Sequence, residues 1–320
     1  MNDSLTIVVP YYKRDYLDST LASLASQVDH TFTVFVADDA SPQDPTEIIR
    51  KYESLIKIRY LRYDDNLGQT ALAAHWNRCV RATCSEWVWL FSDDDLASKD
   101  CVGSFRTTLS ETGGSFDVYR FKTKVVDAEG TLIYNPPAPS LSQTGAEFLF
   151  GLMSTGRSSW AVSCIFRRGA FDAAGGFVDF PLGWFSDDAS WIAFSRRSAI
   201  RTINGGEVSW RQSGTNLSAP TPEHVGKKLA GFRNYLLWCK REFPDETLQQ
   251  ELRFQVAAWL PNQIRFWGGE PRVMDGLRFW FFFSRFTHNW NYRLLARFLG
   301  LRQFVQILKK LGTHSASSDI

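Results

Sequence analysis

The sequence predicts an α/β protein: a mostly parallel central sheet with flanking helices, followed by a helical C-terminal extension. Three observations carry this. Short β-branched or aromatic runs alternate with stretches of helical spacing through the N-terminal two-thirds of the chain. Polar and acidic residues stand at the carboxyl ends of those runs, where open α/β sheets place their ligand sites. Beyond Pro220-Thr221-Pro222 the strand pattern stops and only helical periodicity continues. The expected organisation is a ligand-binding domain at 1–218, a helical region at 219–312 and a disordered tail at 313–320.

Residues 5–9 form a β-branched run stopped by Pro10, suited to a central strand. Leu17, Leu21 and Leu24 then recur at helical spacing. Residues 32–37 form a second buried-type strand, ending in Asp38-Asp39-Ala40-Ser41-Pro42. A helix over 45–52 and a strand over 56–61 follow, then the Asn66-Leu67-Gly68 turn and a helix over 70–82. The next strand is the most informative one: Glu86-Trp87-Val88-Trp89-Leu90-Phe91 runs straight into Ser92-Asp93-Asp94-Asp95. Three adjacent carboxylates at a strand end repel one another and resist desolvation unless a cation or hydrogen bonds compensate them. A solvated turn that caps the next helix is the plain alternative. A hard divalent cation, Mn²⁺ or Mg²⁺, is the functional one.

Strands are predicted at 116–121, 124–126 and 160–166, with a hairpin turn at Asp127-Ala128-Glu129-Gly130. A helix is predicted over 145–152. Gly175-Gly176-Phe177 leads to Trp184-Phe185-Ser186-Asp187-Asp188-Ala189-Ser190-Trp191, where an acidic pair opens a helix. A carboxylate placed there caps the helix, or takes a proton from a bound hydroxyl.

Composition narrows the class. Hydrophobic residues at 44% and charged residues at 22% are ordinary for a globular protein, and a net charge of +2 points to no particular partner. The five cysteines form no C-x-x-C pair, so reduced thiols and a cytoplasmic setting are expected. A dinucleotide-binding Rossmann domain needs a glycine-rich turn after its first strand; here no glycine precedes Gly68.

Pro10-Tyr11-Tyr12, Asp38-Asp39-Ala40-Ser41, Asn66-Leu67-Gly68 and Ser92-Asp93-Asp94-Asp95, in that order and spacing, resemble the successive motifs of family 2 glycosyltransferases. The likeness runs from the first strand to about Ser218. It implies the GT-A fold, an inverting transfer from a nucleotide sugar (UDP-linked by preference), and a divalent cation. Pro10, Tyr12, Asp38 and Asp39 fall where the family holds the nucleobase and ribose, with Asn66 and Gly68 in the adjoining turn. The pattern sets Asp93 near the ribose and Asp94 on the metal; Asp95 is a second ligand or a surface carboxylate. Asp188 matches the family's general base, with Asp187 beside it, and Trp184 and Trp191 are candidates to stack on a sugar. The segment around Ser209-Trp210-Arg211 resembles the one that closes over the donor diphosphate, making Arg211 a candidate phosphate partner or an ordinary surface arginine; His224, just after it, reads first as a surface histidine and second as a third metal ligand. The sequence departs from the pattern at Lys13, where Asn is usual, at Ser92, where Asp is frequent, and between Gln69 and His75, which lack the common basic residue.

From Arg272 to Lys310 eight Lys or Arg face one acid, Asp275, and aromatics such as Phe279, Trp280, Phe281, Phe282 and Phe283 are interleaved. An anionic membrane surface suits that mixture, as does a helical core with solvated charges. No nucleic-acid recognition motif is present. The expectation is therefore an enzyme on the cytoplasmic face of a membrane, transferring to a glycan or lipid-linked acceptor. The rivals are a non-catalytic nucleotide-sugar-binding module on the membrane and a sugar nucleotidyltransferase.

Overall fold

The computed structural model describes residues 4–154 and 159–289, together with Leu294, Leu295 and Phe298. The chain divides into two units, Met1–Leu217 and Ser218–Ile320. In the first, β1 (Leu5–Tyr11), β2 (Phe32–Asp38), β3 (Lys57–Arg62) and β4 (Trp87–Leu90) alternate with α1 (Leu17–Ala25), α2 (Thr46–Tyr52) and α3 (Leu72–Arg81). Then follow β5 (Leu96–Ala97), α4 (Cys101–Glu111), β6 (Val118–Val126), β7 (Leu132–Tyr134), β8 (Ser142–Gln143) and α5 (Gly145–Ser154). The unit closes with β9 (Cys164–Arg167), α6 (Arg168–Ala174), α7 (Ser186–Phe194) and β10 (Ile200–Arg211).

These strands make one sheet in the order β3-β2-β1-β4-β9-β6-β10-β5, with β7 on β6 and β8 on β10. β1 pairs parallel with β2 and β4, and β2 parallel with β3. β9 runs antiparallel between β4 and β6, and β6 pairs parallel with β10. β3, β2, β1, β4, β6 and β10 therefore share one direction, and their carboxyl ends form one edge. The first residue of β9, Cys164, lies at that edge because β9 runs the other way.

Burial explains the local choices. β1 and β4 are apolar on both faces because helices cover both, and β4 is buried throughout. Trp87 packs edge-on against Phe105 and Tyr119 on one side of the sheet. Phe166, Phe177, Trp191 and Phe194 form a second ring cluster.

Two predicted strands differ in extent. The segments at 116–121 and 124–126 form the single strand β6, because β10 follows it through a register shift between Thr202 and Glu207. The run at 160–166 enters the sheet only at Cys164; Ala161–Ser163 form a helical turn that holds Trp160 outside.

The second unit contains α8 (Val225–Glu242), α9 (Glu246–Gln263) and α10 (Val273–Thr287). The Asp245 carboxylate caps α9 by accepting from Leu248 N at 3.0 Å. Lys228 is fully buried, and its ammonium donates to the carbonyls of Ser218, Ala219 and Trp267. Burial lowers its pKa to about 8. On α10, Gly276, Phe279, Phe283 and Thr287 face inward, so part of the aromatic run is core. Met274, Arg278, Phe281 and Arg285 recur at 4, 3 and 4 residues and are exposed along the opposite stripe. No helix among the described residues is long and apolar enough to cross a membrane. The end of the helical region expected to run to 312 and the tail at 313–320 lie outside the described residues.

Candidate active site

At the carboxyl edge, β1 ends in Pro10-Tyr11-Tyr12-Lys13, and the acidic stretch after β4 folds onto it. Asp93 Oδ2 accepts from the amides of Tyr12 (2.8 Å) and Lys13 (2.9 Å). This fixes the loop after β1 and leaves the Tyr12 ring 39% exposed beside it. Asp94 Oδ2 accepts from Asn216 Nδ2 at 3.0 Å, and Lys13 Nζ donates to the Thr215 carbonyl. The segment after β10 is thereby tied to both β1 and β4.

Asp93 and Asp94 keep a solvent-facing edge, yet the packing around them opposes their charge. Burial raises Asp93 above the usual carboxylate range despite its two amide donors. Burial first, and the Asp93 charge second, push Asp94 up to about 7. Asp95 is fully buried; its Oδ1 accepts from Arg211 N at 2.8 Å, while Oδ2 meets no hydrogen-bond partner among the described residues. This donor set fits a hard divalent cation: oxygen ligands only, one carboxylate beside another, and a buried orphan oxygen behind them. No group of three or more His, Cys, Asp or Glu able to chelate a metal occurs among the described residues. A cation here would therefore rest on Asp94 and its neighbour and complete its shell with ligand oxygens. Asp95, expected as a possible metal ligand, instead braces the end of β10.

The turn after β2 is built on two carboxylates with different tasks. Asp38 is fully buried; Oδ1 accepts from Ser41 N (2.7 Å), and Oδ2 accepts from Tyr60 Oη (2.6 Å) and Arg62 Nη1 (2.7 Å). It serves the turn and leaves the ligand side to Asp39. Asp39 accepts from Leu67 N (3.0 Å), Gly68 N (2.7 Å) and the Arg78 guanidinium, and His75 Nδ1 lies 3.0 Å away. Burial opposes its ionisation, but His75 and the two amides outweigh that and hold the carboxyl below its ordinary range. A Cβ on Gly68 would meet Asp39 Oδ2 at 2.7 Å, so glycine is required for this approach. Asn66 Oδ1 closes the same turn by accepting from Gln69 N at 3.1 Å.

His75 and Arg78 were missed in the sequence. The resemblance implies a basic residue between Gln69 and His75; the basic residue that reaches Asp39 is Arg78, nearly two turns into α3.

Arg211 is not positioned as a phosphate partner. It is 3% exposed, and its guanidinium donates to the carbonyls of Asp94 (2.8 Å), Ala128 (2.7 Å) and Asp127 (3.4 Å) while lying over the Tyr16 ring. Buried carbonyls at the strand edge take the donors that a phosphate would need.

Asp187 and Asp188 occupy the first turn of α7, preceded by Phe185 at φ 66° and, before it, Leu182 at φ 61°. Non-glycine residues in that region store strain, a frequent mark of functional turns. Asp188 is 8% exposed, and its Oδ1 has no hydrogen-bond partner among the described residues. Burial first, then the Asp187 charge, raise it well above the ordinary range; burial also pushes Asp187 to about 6. The charges of both aspartates are felt by the Cys164 thiol, behind burial and Arg120 in order of effect. Cys164 follows in register opposite Leu90, one step beyond the Trp89–Ile165 pair. The acidic pair thus lies at the same sheet edge as the end of β4. Trp191 cannot stack on a ligand: it is fully buried among Phe166, Phe177 and Phe194. Trp184 remains partly exposed. His224 belongs to the second unit.

A mostly parallel sheet with acidic residues at its carboxyl edge and an acid-bearing helix start is a GT-A-type arrangement. Residues 6–159 match glycosyl transferase family 2. The chain is 45% identical over 110 residues to the chondroitin synthase of Escherichia coli, covering 34% of this chain and 16% of that protein. It is 44% identical over 109 residues to the hyaluronan synthase of Pasteurella multocida, covering 33% and 11%. These alignments therefore span a small part of the relatives' own length. The crystal structure of Staphylococcus aureus TarS 1-349 in complex with UDP-GlcNAc matches 92% of this chain and 89% of that one. Its TM-score is 0.65 at 16% identity, a likeness of fold.

Proposed function

We propose that the protein is an inverting glycosyltransferase that moves a sugar from a UDP-sugar to a glycan hydroxyl, with Asp188 as general base. The observation that carries this is the buried Asp188 carboxyl, its Oδ1 without a hydrogen-bond partner in ordinary geometry among the described residues and only the Ser159 hydroxyl favouring its charge, at the same sheet edge as Asp93 and Asp94. The poly(ribitol-phosphate) beta-N-acetylglucosaminyltransferase TarS, 24% identical over 155 residues, and the two glycosaminoglycan synthases support a polysaccharide-type acceptor. They make UDP-N-acetylglucosamine the first donor to try.

In this reading the uracil lies between the Tyr12 ring and the Asn66–Gly68 turn. Asp39 Oδ2, which accepts from Gly68 N, has a second lone pair for the imide N–H. Asp93 holds the loop after β1 in place for the ribose. Asp94 would hold Mn²⁺ or Mg²⁺ with the donor diphosphate. When bound, that cation neutralises charge on the departing nucleoside diphosphate. Asp188, ionised, accepts the acceptor hydroxyl proton as that oxygen attacks the anomeric carbon. A single displacement inverts the anomeric configuration. Trp184 offers an indole to the sugar.

The reading is tested by measuring UDP release from a panel of UDP-sugars with chondroitin, hyaluronan and ribitol-phosphate oligomers as acceptors. Release that depends on one acceptor supports it; no release from any pair, with UDP bound, favours a non-catalytic binding module.

Gly68→Ala gives a sharper expectation. The added methyl group would displace Asp39 or break its bond to the turn, a cost of about 1 to 1.5 kcal/mol, or roughly tenfold in UDP affinity. An unchanged Kd by calorimetry would remove Asp39 from the nucleotide pocket.

The exposed stripe Met274, Arg278, Phe281 and Arg285 on α10 supports attachment to an anionic membrane surface, with Phe254 and Phe266 also exposed in this unit. Each basic residue near such a surface contributes about 1 kcal/mol, so binding is expected to weaken with salt. Co-sedimentation with phosphatidylserine vesicles is the check. Equal binding by wild type and a Met274→Ser/Phe281→Ser variant would contradict a role for this stripe.

A further inference from the structure

Asn77, on α3, lies outside every motif quoted above, yet the segment leading to Asp188 is anchored on it. Its Oδ1 accepts from Phe177 N at 2.7 Å. Gly176 packs so closely that a Cβ there would lie 2.5 Å from the same oxygen, and Gly176 itself sits at φ 105°. Three further contacts join α3 to this stretch. The Trp76 ring meets Phe177 edge-on at 5.4 Å, Arg81 donates to the Gly175 carbonyl at 3.3 Å, and Leu72 lies 2.8 Å from where a Gly183 Cβ would be.

From Phe177 onward the loop is laced to the helix that carries the acid. Val178 N donates to Ser190 Oγ (2.9 Å), Phe180 N donates to Ser186 Oγ (3.1 Å), and Ser190 Oγ donates to the Ser186 carbonyl (2.5 Å). Ser186 and Ser190 are fully buried and bracket Asp187 and Asp188 on α7. The chain of bonds thus runs from Asn77 to Phe177, along the loop to Ser186 and Ser190, and into the first turn of α7. The strained Leu182 and Phe185 lie within it. Such strain persists only where the surroundings over-determine the backbone.

We infer that Asn77 is a positioning residue for Asp188: it fixes the Gly176–Phe177 backbone, and through it the placement of the general base. The inference rests on the reading of Asp188 as that base. Among the described residues the Asn77 side chain hydrogen-bonds to Phe177 N and to no group assigned to the donor. On the other face of the same helix, His75 and Arg78 hold Asp39 and the turn at Leu67 and Gly68.

The consequence is a separation of binding from turnover. Asn77→Leu keeps the side chain's approximate size but offers no acceptor; Asn77→Asp keeps an acceptor oxygen at the same reach. In the full chain, with the donor–acceptor pair that gives turnover in the UDP-release panel, Asn77→Leu should lower kcat by about a hundredfold, the cost of a misplacement of about 1 Å. Its UDP affinity by calorimetry and its KM for donor should stay at the wild-type values. Asn77→Asp should recover most of the rate, and Gly176→Ala should reproduce the Leu defect. Amide exchange at Phe177, Val178 and Phe180 should quicken in Asn77→Leu and stay slow in Asn77→Asp.

Full turnover in a folded Asn77→Leu protein, alongside an inactive Asp188→Asn, would overturn the inference while leaving the base assignment standing. Wild-type turnover in Asp188→Asn would instead remove the reading on which it rests. If Asn77→Leu does not fold, Asn77→Asp and Gly176→Ala decide: equal kcat in both contradicts the inference.

Discussion

Asp188→Asn is expected to lower turnover by about 10²- to 10⁴-fold, the usual range for loss of a general base, with UDP binding intact. The amide has nearly the same shape but cannot take the acceptor proton. The same substitution should raise thermal stability at neutral pH. Burial and Asp187 raise the native pKa of Asp188, so the folded protein holds this proton more tightly than the unfolded chain does. The stability associated with that proton is full below the ordinary carboxylate pKa and is lost as pH rises through the raised native value. Asn carries no charge to bury and escapes that loss. A residue that served only to cap α7 would behave differently, since its loss would lower stability and leave kcat unchanged. The acid limb of the kcat/KM profile should also lie above the ordinary carboxylate range. The two buried acids titrate together, both raised, so activity rises as pH increases beyond the ordinary carboxylate range. A limb at ordinary carboxylate pH would place the base elsewhere.

Asp94→Asn is expected to abolish the dependence of UDP binding on Mn²⁺. Asp94 and Asp93 stand side by side, where burial raises both and the Asp93 charge raises Asp94 further. A divalent cation held by Asp94 would relieve that repulsion, and the UDP affinity it would add should vanish with the Asp94 charge. Calorimetry of UDP with Mn²⁺ and with EDTA measures this without turnover. Undiminished, metal-dependent binding by the variant would assign the cation to other oxygens. Metal-independent binding by the wild type would remove the cation from the donor site.

The centre of the sheet was legible in the sequence because β1, β2 and β4 are buried on both faces. Runs such as Trp87-Val88-Trp89-Leu90 can only be core, and the polar residues that stop them mark the ligand edge. The candidate site was legible where a motif is local: the loop after β1, the turn at Asn66–Gly68 and the acidic start of α7. What the sequence concealed are commitments made across the fold. Arg211 reads as a free cation until the carbonyls of Asp94, Asp127 and Ala128 surround it. Asp38 and Asp39 are indistinguishable as letters, yet Tyr60 and Arg62 from the neighbouring strand claim the first, while α3 and the glycine turn hold the second. Trp191 reads as a stacking platform and is core, because its helix turns that face onto Phe166 and Phe177. On α10 the aromatic run divides by helical period: Phe279 and Phe283 point inward, and Phe281 points outward. Asn77 carries no motif, and only its contact with Phe177 N reveals it.

The most direct test of the account is the anomeric configuration of the product formed from UDP-N-acetylglucosamine, or whichever UDP-sugar gives turnover, followed by NMR for the wild type and for Asp188→Asn. The donor linkage is α; the account predicts a β-linked product from the wild type and no product above background from the variant. An α-linked product, or equal product from both proteins, would contradict single displacement with Asp188 as base.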